Sequence, residues 1–382
     1  LRFSFRTDST VLPDILTRDT ITQLSYDSMG RLVSASNWAG HNWAYTYDAN
    51  GNRTSVKKDG AAVQSLSYNA DNQLNSTGYA FDKAGRRTGD PAEGSTTWNA
   101  LGQSVARTKG ANKGSYAYAG YGQDELIQQK DANTTKTYVW GRSSQAGIPT
   151  MEYSTIAGSA SSTSVVDNDA NGMPINMLSG AQSQYVVFDG LGRMWGTVSD
   201  NGQVTSKYEY DPYQQLTNIV YPTSSPTTAA KAQTSQMQAA SADSGSSGGG
   251  TPWSTLGVQD EVVKNWWKRG ARWHDTSTGT WTSVDPITRL NDPARANAYL
   301  YVGGDPINMT DPAGRIDWNP FHHKAIRCGA DLIGMGASAV GAASSAAATP
   351  FTGVAAAGVA VSVIGFGASA EAMTNDCDSW TR

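Results

Sequence analysis

Tyr26-Asp27-Ser28-Met29-Gly30-Arg31 is followed 21 residues later by Tyr47-Asp48-Ala49-Asn50-Gly51-Asn52-Arg53. Another 21 residues on comes Tyr68-Asn69-Ala70-Asp71-Asn72-Gln73. The pattern is an aromatic residue, Asp or Asn, two free positions, Gly, then often a basic or amide residue. Further copies are Phe81-Asp82-Lys83-Ala84-Gly85-Arg86, Trp98-Asn99-Ala100-Leu101-Gly102-Gln103 and Phe188-Asp189-Gly190-Leu191-Gly192-Arg193. Tyr210-Asp211-Pro212-Tyr213-Gln214 is a worn last copy. Repetition of this kind decides the fold before any other feature does.

The motif reads as a strand–turn–strand junction. The aromatic (Tyr26, Tyr47, Phe81, Phe188) ends a strand, and the following carboxylate (Asp27, Asp48, Asp82, Asp189) bonds backbone N–H groups two residues on. The glycine (Gly30, Gly51, Gly85, Gly192) supplies the positive φ that closes the turn. Trp43, Tyr45 and Tyr47 alternate with small or polar residues, as half-buried strands do. A hairpin of about 20 residues cannot bury its own face, so stacked copies form one continuous sheet. Asp recurring at a repeated turn is read as a turn residue rather than as a metal ligand or catalytic acid. The expected class is all-β.

Composition agrees. The chain has 382 residues, of which 16% are charged, well below the ~25% usual in soluble domains. Its net charge of −4 leaves no basic field for nucleic acid. Gly numbers 40, and 17 Tyr and 12 Trp outnumber seven Phe, which favours many short strands and turns. No basic-then-apolar leader precedes the repeats, so the chain is expected to be an internal piece of something longer.

Residues 1–221 form the repeat segment, with a small, polar stretch between Thr155 and Ala181 that reads as an insertion or a long hairpin. Residues 222–252 run from Pro222-Thr223-Ser224 through Ala and Gln to Ser244-Gly245-Ser246-Ser247-Gly248, a composition that reads as a flexible linker or surface insertion. Residues 253–315 hold Arg272-Trp273-His274-Asp275, Val284-Asp285-Pro286 and Thr310-Asp311-Pro312-Ala313-Gly314. Residues 316–382 are an apolar Ala/Gly-rich tail.

The repeats resemble the YD-repeat family: bacterial Rhs proteins, the C components of insecticidal toxin complexes, and the teneurins. The resemblance covers roughly residues 20–315, and 253–315 looks like the Rhs core-terminating region. It implies hairpins stacked into a spiralling, shell-like sheet that encloses a C-terminal cargo. It also implies an aspartyl peptidase pair, Asp285 and Asp311, that cuts the chain near Arg315-Ile316. Two carboxylates sharing a site would split their roles, one holding a proton while the other activates water. This chain departs from the family at Thr288, where Gly is usual, and at Arg315, where an apolar residue is usual. Leu290-Asn291-Asp292-Pro293 lengthens the spacing between the two aspartates. The competing reading is that both Asp-Pro pairs only start turns.

His274 reads as a packed or surface residue, and Trp266 and Trp267 as strand packing. His322-His323 has no partner at metal-ligand spacing. No phosphate loop, nucleophile elbow or zinc signature occurs, so neither cofactor nor metal is expected.

From Leu332 to Ala370 no charged residue occurs, and Pro350 divides the stretch into two apolar halves. A helical hairpin is expected, with two readings open: cargo that enters a membrane, or a buried plug sealing the shell. Cys328 and Cys377 bracket it, so a disulfide would clasp its ends in an oxidising place. Only 12 residues follow Ala370, too few for a toxin enzyme domain.

The expected role is therefore a secreted or cell-surface shell of an Rhs-like polymorphic toxin. Its partners would be its own tail as cargo, a membrane through 332–370, and a secretion apparatus or further copies of itself, but not nucleic acid. Any enzymatic activity would be limited to self-cleavage. The alternative is an extracellular structural or adhesive module without toxin activity.

Overall fold

The repeated motif folds the same way wherever it is seen. Asp27 N–H donates to the Arg31 carbonyl and Gly30 N–H to the Asp27 carbonyl, both at 3.0 Å. This is a three-residue hairpin loop with a bulge at the left-handed position. That position has φ of 78° at Gly30, 83° at Gly51, 73° at Gly85 and 79° at Gly102. In the two copies without glycine, Asn72 (61°) and Gln214 (68°) adopt the same conformation.

A computed structural model describes residues 21–315, apart from 38–39, 121–124, 144–148, 159–161, 170–173, 180–181, 189–190, 201, 203, 221–252, 255–256, 261, 264 and 287–296. The chain divides into two units, 1–200 with 204–318, and 201–203 with 319–382. Nearly all described residues belong to the first. Asp189, the linker 222–252, Ile316, Cys328, Cys377, His322, His323 and the apolar tail lie outside the described residues.

Among the described residues the fold is all-β, with antiparallel hairpins in three sheets. Five strands from Ile21–Tyr26 to Ala61–Ser65 form the first, and fourteen from Ala80–Phe81 to Leu216–Val220 form the second, each pairing with its chain neighbours. The third has five short strands between Trp253–Ser254 and Thr280–Trp281. A 3-10 turn lies at Val302–Gly304. Among the described residues no helix is long and apolar enough to cross a membrane.

Two kinds of hydrogen bond tie neighbouring repeats together. In the first, Asp27 accepts from Met29 and Arg31 N–H at 2.9 and 3.0 Å, and the Arg31 Nε donates back to it at 2.6 Å. Arg31 Nη1 then reaches the Asp48 carbonyl of the following turn at 3.0 Å. Arg86 does the same between Asp82 and the Asn99 carbonyl. Burial alone would raise the Asp27 and Asp82 carboxyls, but the turn N–H groups and the arginine outweigh it and hold both below the usual carboxylate range.

In the second kind the aromatic of one repeat donates to a carbonyl two residues past the turn glycine of the repeat before. Tyr47 Oη reaches Leu32 O at 2.6 Å, Tyr68 Oη reaches Arg53 O at 3.0 Å, and Trp98 Nε1 reaches Arg87 O at 2.8 Å. Tyr118 with Ser104 and Tyr210 with Met194 repeat the arrangement. These bonds explain the surplus of Tyr and Trp over Phe, since only aromatics with a polar end can satisfy a buried carbonyl.

The residue two past the turn position points inward: Leu32, Arg53, Leu74, Arg87, Ser104 and Met194 are all buried. The third sheet packs on this inner face. Tyr116, Leu126, Tyr138, Met177 and Met194 form one core with Val258, Val263, Trp266 and Trp273. Polar contacts run along the same seam in reversed order. Arg53 meets the Ser277 carbonyl (2.6 Å), Arg87 meets Asp275 (2.7 Å), Arg107 meets Asp260, and Gln129 meets the Gln259 carbonyl (2.9 Å).

The last turn departs from the others. Asp211 still accepts the Gln215 N–H at 2.8 Å, but burial pushes its carboxyl up to about 6, against the lowering effect of that N–H and of Arg53. A carboxyl raised in the fold above its unfolded value binds its proton more tightly when folded. Stability therefore falls as pH rises from about 4 to about 6 and stays lower above that. Asn69 and Asn99 hold the same turn without charge. Asp211→Asn is thus expected to raise stability at pH 7 by about 3 kcal/mol and to flatten the slope between pH 4 and 6. Urea unfolding across that range measures both effects; an unchanged slope would refute the assignment.

Candidate functional site

The two aspartates singled out by the resemblance come together on a third residue, Arg272. Its strand, Arg272–Asp275, is the fourth of the terminal sheet, paired on one side with Trp266–Arg269 and on the other with Thr280–Trp281. The guanidinium lies over the Trp281 ring, 4.0 Å from its centroid. Asp285 is fixed by its N–H bond to the Ala298 carbonyl at 3.1 Å. Arg272 Nη2 donates to Asp285 Oδ2 at 2.9 Å and lies 3.4 Å from Asp311 Oδ2. The Asp311 side chain is fully buried, whereas that of Asp285 is 20% exposed.

The same arginine holds the backbone that follows Asp311. Its Nε donates to the Gly314 carbonyl at 2.6 Å, and its Nη1 to the Ala298 carbonyl at 3.2 Å. Asp311 Oδ1 accepts the Arg315 N–H at 3.1 Å. Residues 311–314 cross the preceding strand turn at backbone distance, with Ala271 N–H bonded to the Ala313 carbonyl at 2.9 Å. Gly270 and Gly314 allow this crossing. A β-carbon at Gly314, whose φ is +64°, would overlap the Arg269 carbonyl and come within 2.8 Å of the Arg272 nitrogen.

The arrangement can set one cation against two acids, polarise one peptide carbonyl and hold one peptide N–H. Sequence reading quoted Arg272 without giving it a role. Its signal is an arginine two residues past Gly270, at the head of a strand that also carries Trp273, His274 and Asp275, and that is legible only with the fold in hand.

His274 is packed rather than exposed. Its ring stacks on Tyr301 with centroids 3.9 Å apart. Burial, then Arg269, Arg53, Arg272 and Arg87, hold it well below the ordinary histidine range, so it is neutral. Trp266 and Trp267 are both buried in the terminal sheet. Among the described residues no group of three or more His, Cys, Asp or Glu side chains is placed to hold a metal ion.

Gln214, from the worn repeat, joins the terminal sheet to the repeats. Gln214 Oε1 accepts from Arg269 Nη2 at 2.8 Å and from Tyr301 Oη at 3.2 Å, and its Nε2 donates to the Pro306 carbonyl. The left-handed strain at a non-glycine residue, about 1–3 kcal/mol, persists because the side chain is built into this network.

Stacked turn-bonded hairpins packed against a terminal module define a YD-repeat shell protein. The chain belongs to the teneurin YD-shell family, whose model matches residues 10–223. It is 24% identical over 300 residues to the tRNA3(Ser)-specific nuclease WapA of Bacillus spizizenii and 23% identical to the tRNA nuclease WapA of Bacillus subtilis. Each match covers 77% of this chain but 12% of the relative. Among solved structures it is similar to TcdB2–TccC3 (TM-score 0.55, 18% identity, covering 77% of this chain and 16% of that one). It is also similar to the Photorhabdus luminescens Tc holotoxin pore (TM-score 0.56, 17% identity, 77% and 15%). The chain therefore spans a small part of these proteins. What they share with it is the fold, and the nuclease activity in the WapA names is theirs.

Proposed function

We propose that the chain is a wall segment of the shell of a secreted or cell-surface toxin of the Rhs kind. The shell encloses the segment C-terminal to it and frees that segment by cutting its own backbone just past Asp311. The convergence of Asp285, Asp311 and the Gly314 carbonyl on one arginine supports this reading. It puts two acids and an electrostatic stabiliser beside a single stretch of backbone. The carried segment is the tail from residue 316, with the uncharged stretch 332–370 entering a target membrane; co-flotation of the chain with liposomes tests that part, and its absence removes it.

The rival is a purely structural clamp, favoured by the ion pairs that Arg272 makes with both acids. Denaturing electrophoresis of the intact chain beside Asp285→Asn and Asp311→Asn separates the two. Wild type is expected to run as two fragments and each variant as one, a loss of cutting of at least about 100-fold. A wild-type chain that stays whole leaves only the clamp.

A further inference from the structure

Around the ring of Tyr301 three buried side chains carry nitrogens with no hydrogen-bond partner: Arg269 through Nε, Trp281 through its indole N–H, and His274 through both ring nitrogens. They are 2%, 1% and 0% exposed. Tyr301 holds them together. The His274 and Trp281 rings lie 3.9 and 5.5 Å from its centroid, and the Arg269 guanidinium lies 5.1 Å from it. His274 and Trp281 also face each other at 5.4 Å. We propose that these groups bind a small, singly charged anion of the halide kind.

Charge decides for an anion over water. A water molecule satisfies a donor but leaves a buried cation unpaired, which is costly. Among the described residues Arg269 makes no ion pair: its two Nη groups donate to Tyr301 Oη and Gln214 Oε1, both uncharged and both at 2.8 Å. Burial holds its guanidinium below the usual arginine range, outweighing the opposite influence of Tyr301 and Asp311. The Asp311 carboxylate faces Arg272 and accepts the Arg315 N–H. Arg53 also bonds only to uncharged groups, the Gln64 amide and the Ser277 carbonyl. The His274 ring, itself neutral, sits in the field of Arg269, Arg53, Arg272 and Arg87. An anion beside it is attracted by all four.

The donors set the class of ligand. One guanidinium N–H, one indole N–H and one imidazole N–H suit a single sphere of charge between aromatic walls. A sulfate or phosphate brings several oxygens and a second charge, and three donors cannot satisfy them. Chloride and bromide have no directional demands and give up their water more readily than fluoride. Such an ion would fasten the terminal sheet to the segment around Tyr301, whether or not the backbone is ever cut.

Urea unfolding of the full chain, followed by tryptophan fluorescence, tests this while sodium chloride replaces sodium gluconate at fixed total salt. An ion that binds only the folded chain raises the folded-to-unfolded ratio about tenfold for each tenfold rise in its concentration, once the site is filled. That slope is expected with chloride and bromide and not with fluoride. His274→Phe keeps a ring on Tyr301 and removes the N–H, so the rise is expected to begin at about tenfold higher chloride. Arg269→Met is expected to abolish it. Crystals soaked in bromide are expected to show anomalous scattering between His274, Trp281 and Arg269. A ratio that chloride leaves unchanged, an equal rise with fluoride or in Arg269→Met, or bromide found only at the exposed surface would overturn the proposal.

Discussion

Replacing Asp275 by alanine is expected to lower the free energy of unfolding by about 3–5 kcal/mol, the usual effect of stranding a buried charge. Asp275 and its partner Arg87 are each 1% exposed, and their contact is 2.7 Å long. The carboxylate has further duties: its Oδ1 accepts from Ser277 N–H and Oγ, and its Oδ2 from Thr278 Oγ1 at 2.7 Å. Removing it leaves Arg87 with Asp90 at 3.0 Å and with Thr280, while the turn after Asp275 loses its acceptor. The pair also joins positions 188 residues apart, so its loss loosens the terminal sheet from the repeats. Urea unfolding followed by tryptophan fluorescence measures the change. A loss under about 1 kcal/mol, the range of exposed pairs, would show that water enters the seam.

Trp266→Ala is the second large effect, again about 3–5 kcal/mol, from the cavity and the lost transfer energy of a fully buried indole. Trp266 is 1% exposed and belongs to the core shared by the long sheet and the terminal sheet. Its ring also covers two buried cations, with the Arg107 guanidinium 4.0 Å and that of Arg87 5.5 Å from its centroid. Alanine would leave Arg107 with Asp260 and with Trp273 at 4.2 Å. Trp266→Phe keeps a ring under both arginines and is expected to recover about half of the loss. Equal destabilisation by the two variants would mean that volume alone matters there.

The turns were legible because their chemistry is local. Asp27, two free positions, Gly30 and Arg31 contain every partner the loop uses except the next carbonyl along. Pairing of neighbours followed from the 21-residue spacing. The seam was not legible: Arg87 reads in sequence as a second basic residue after a turn, and nothing near it announces Asp275. Gln214 was equally silent, since a glutamine in a glycine position looks like decay of the motif until Arg269 and Tyr301 are seen on its side chain. At the site, the resemblance named Asp285 and Asp311, and the structure adds what lies between them. Arg272 binds one carboxylate 13 residues on, faces a second 39 residues on, and holds a carbonyl 42 residues on. Such a set is made only by chain crossing.

The reversed seam has a consequence for how such a protein changes over time. Each repeat is bonded to its neighbours, so a chain without the terminal module could gain or lose whole repeats with little disturbance. Here Arg53, Arg87, Arg107 and Gln129 each have an assigned counterpart at Ser277, Asp275, Asp260 and Gln259. Duplicating or deleting a unit between residues 53 and 129 would shift one row against the other and leave buried arginines facing the wrong groups. The terminal module thus works as a gauge of repeat number. Length variation among relatives should gather outside the gauged stretch, where no counterpart checks the count.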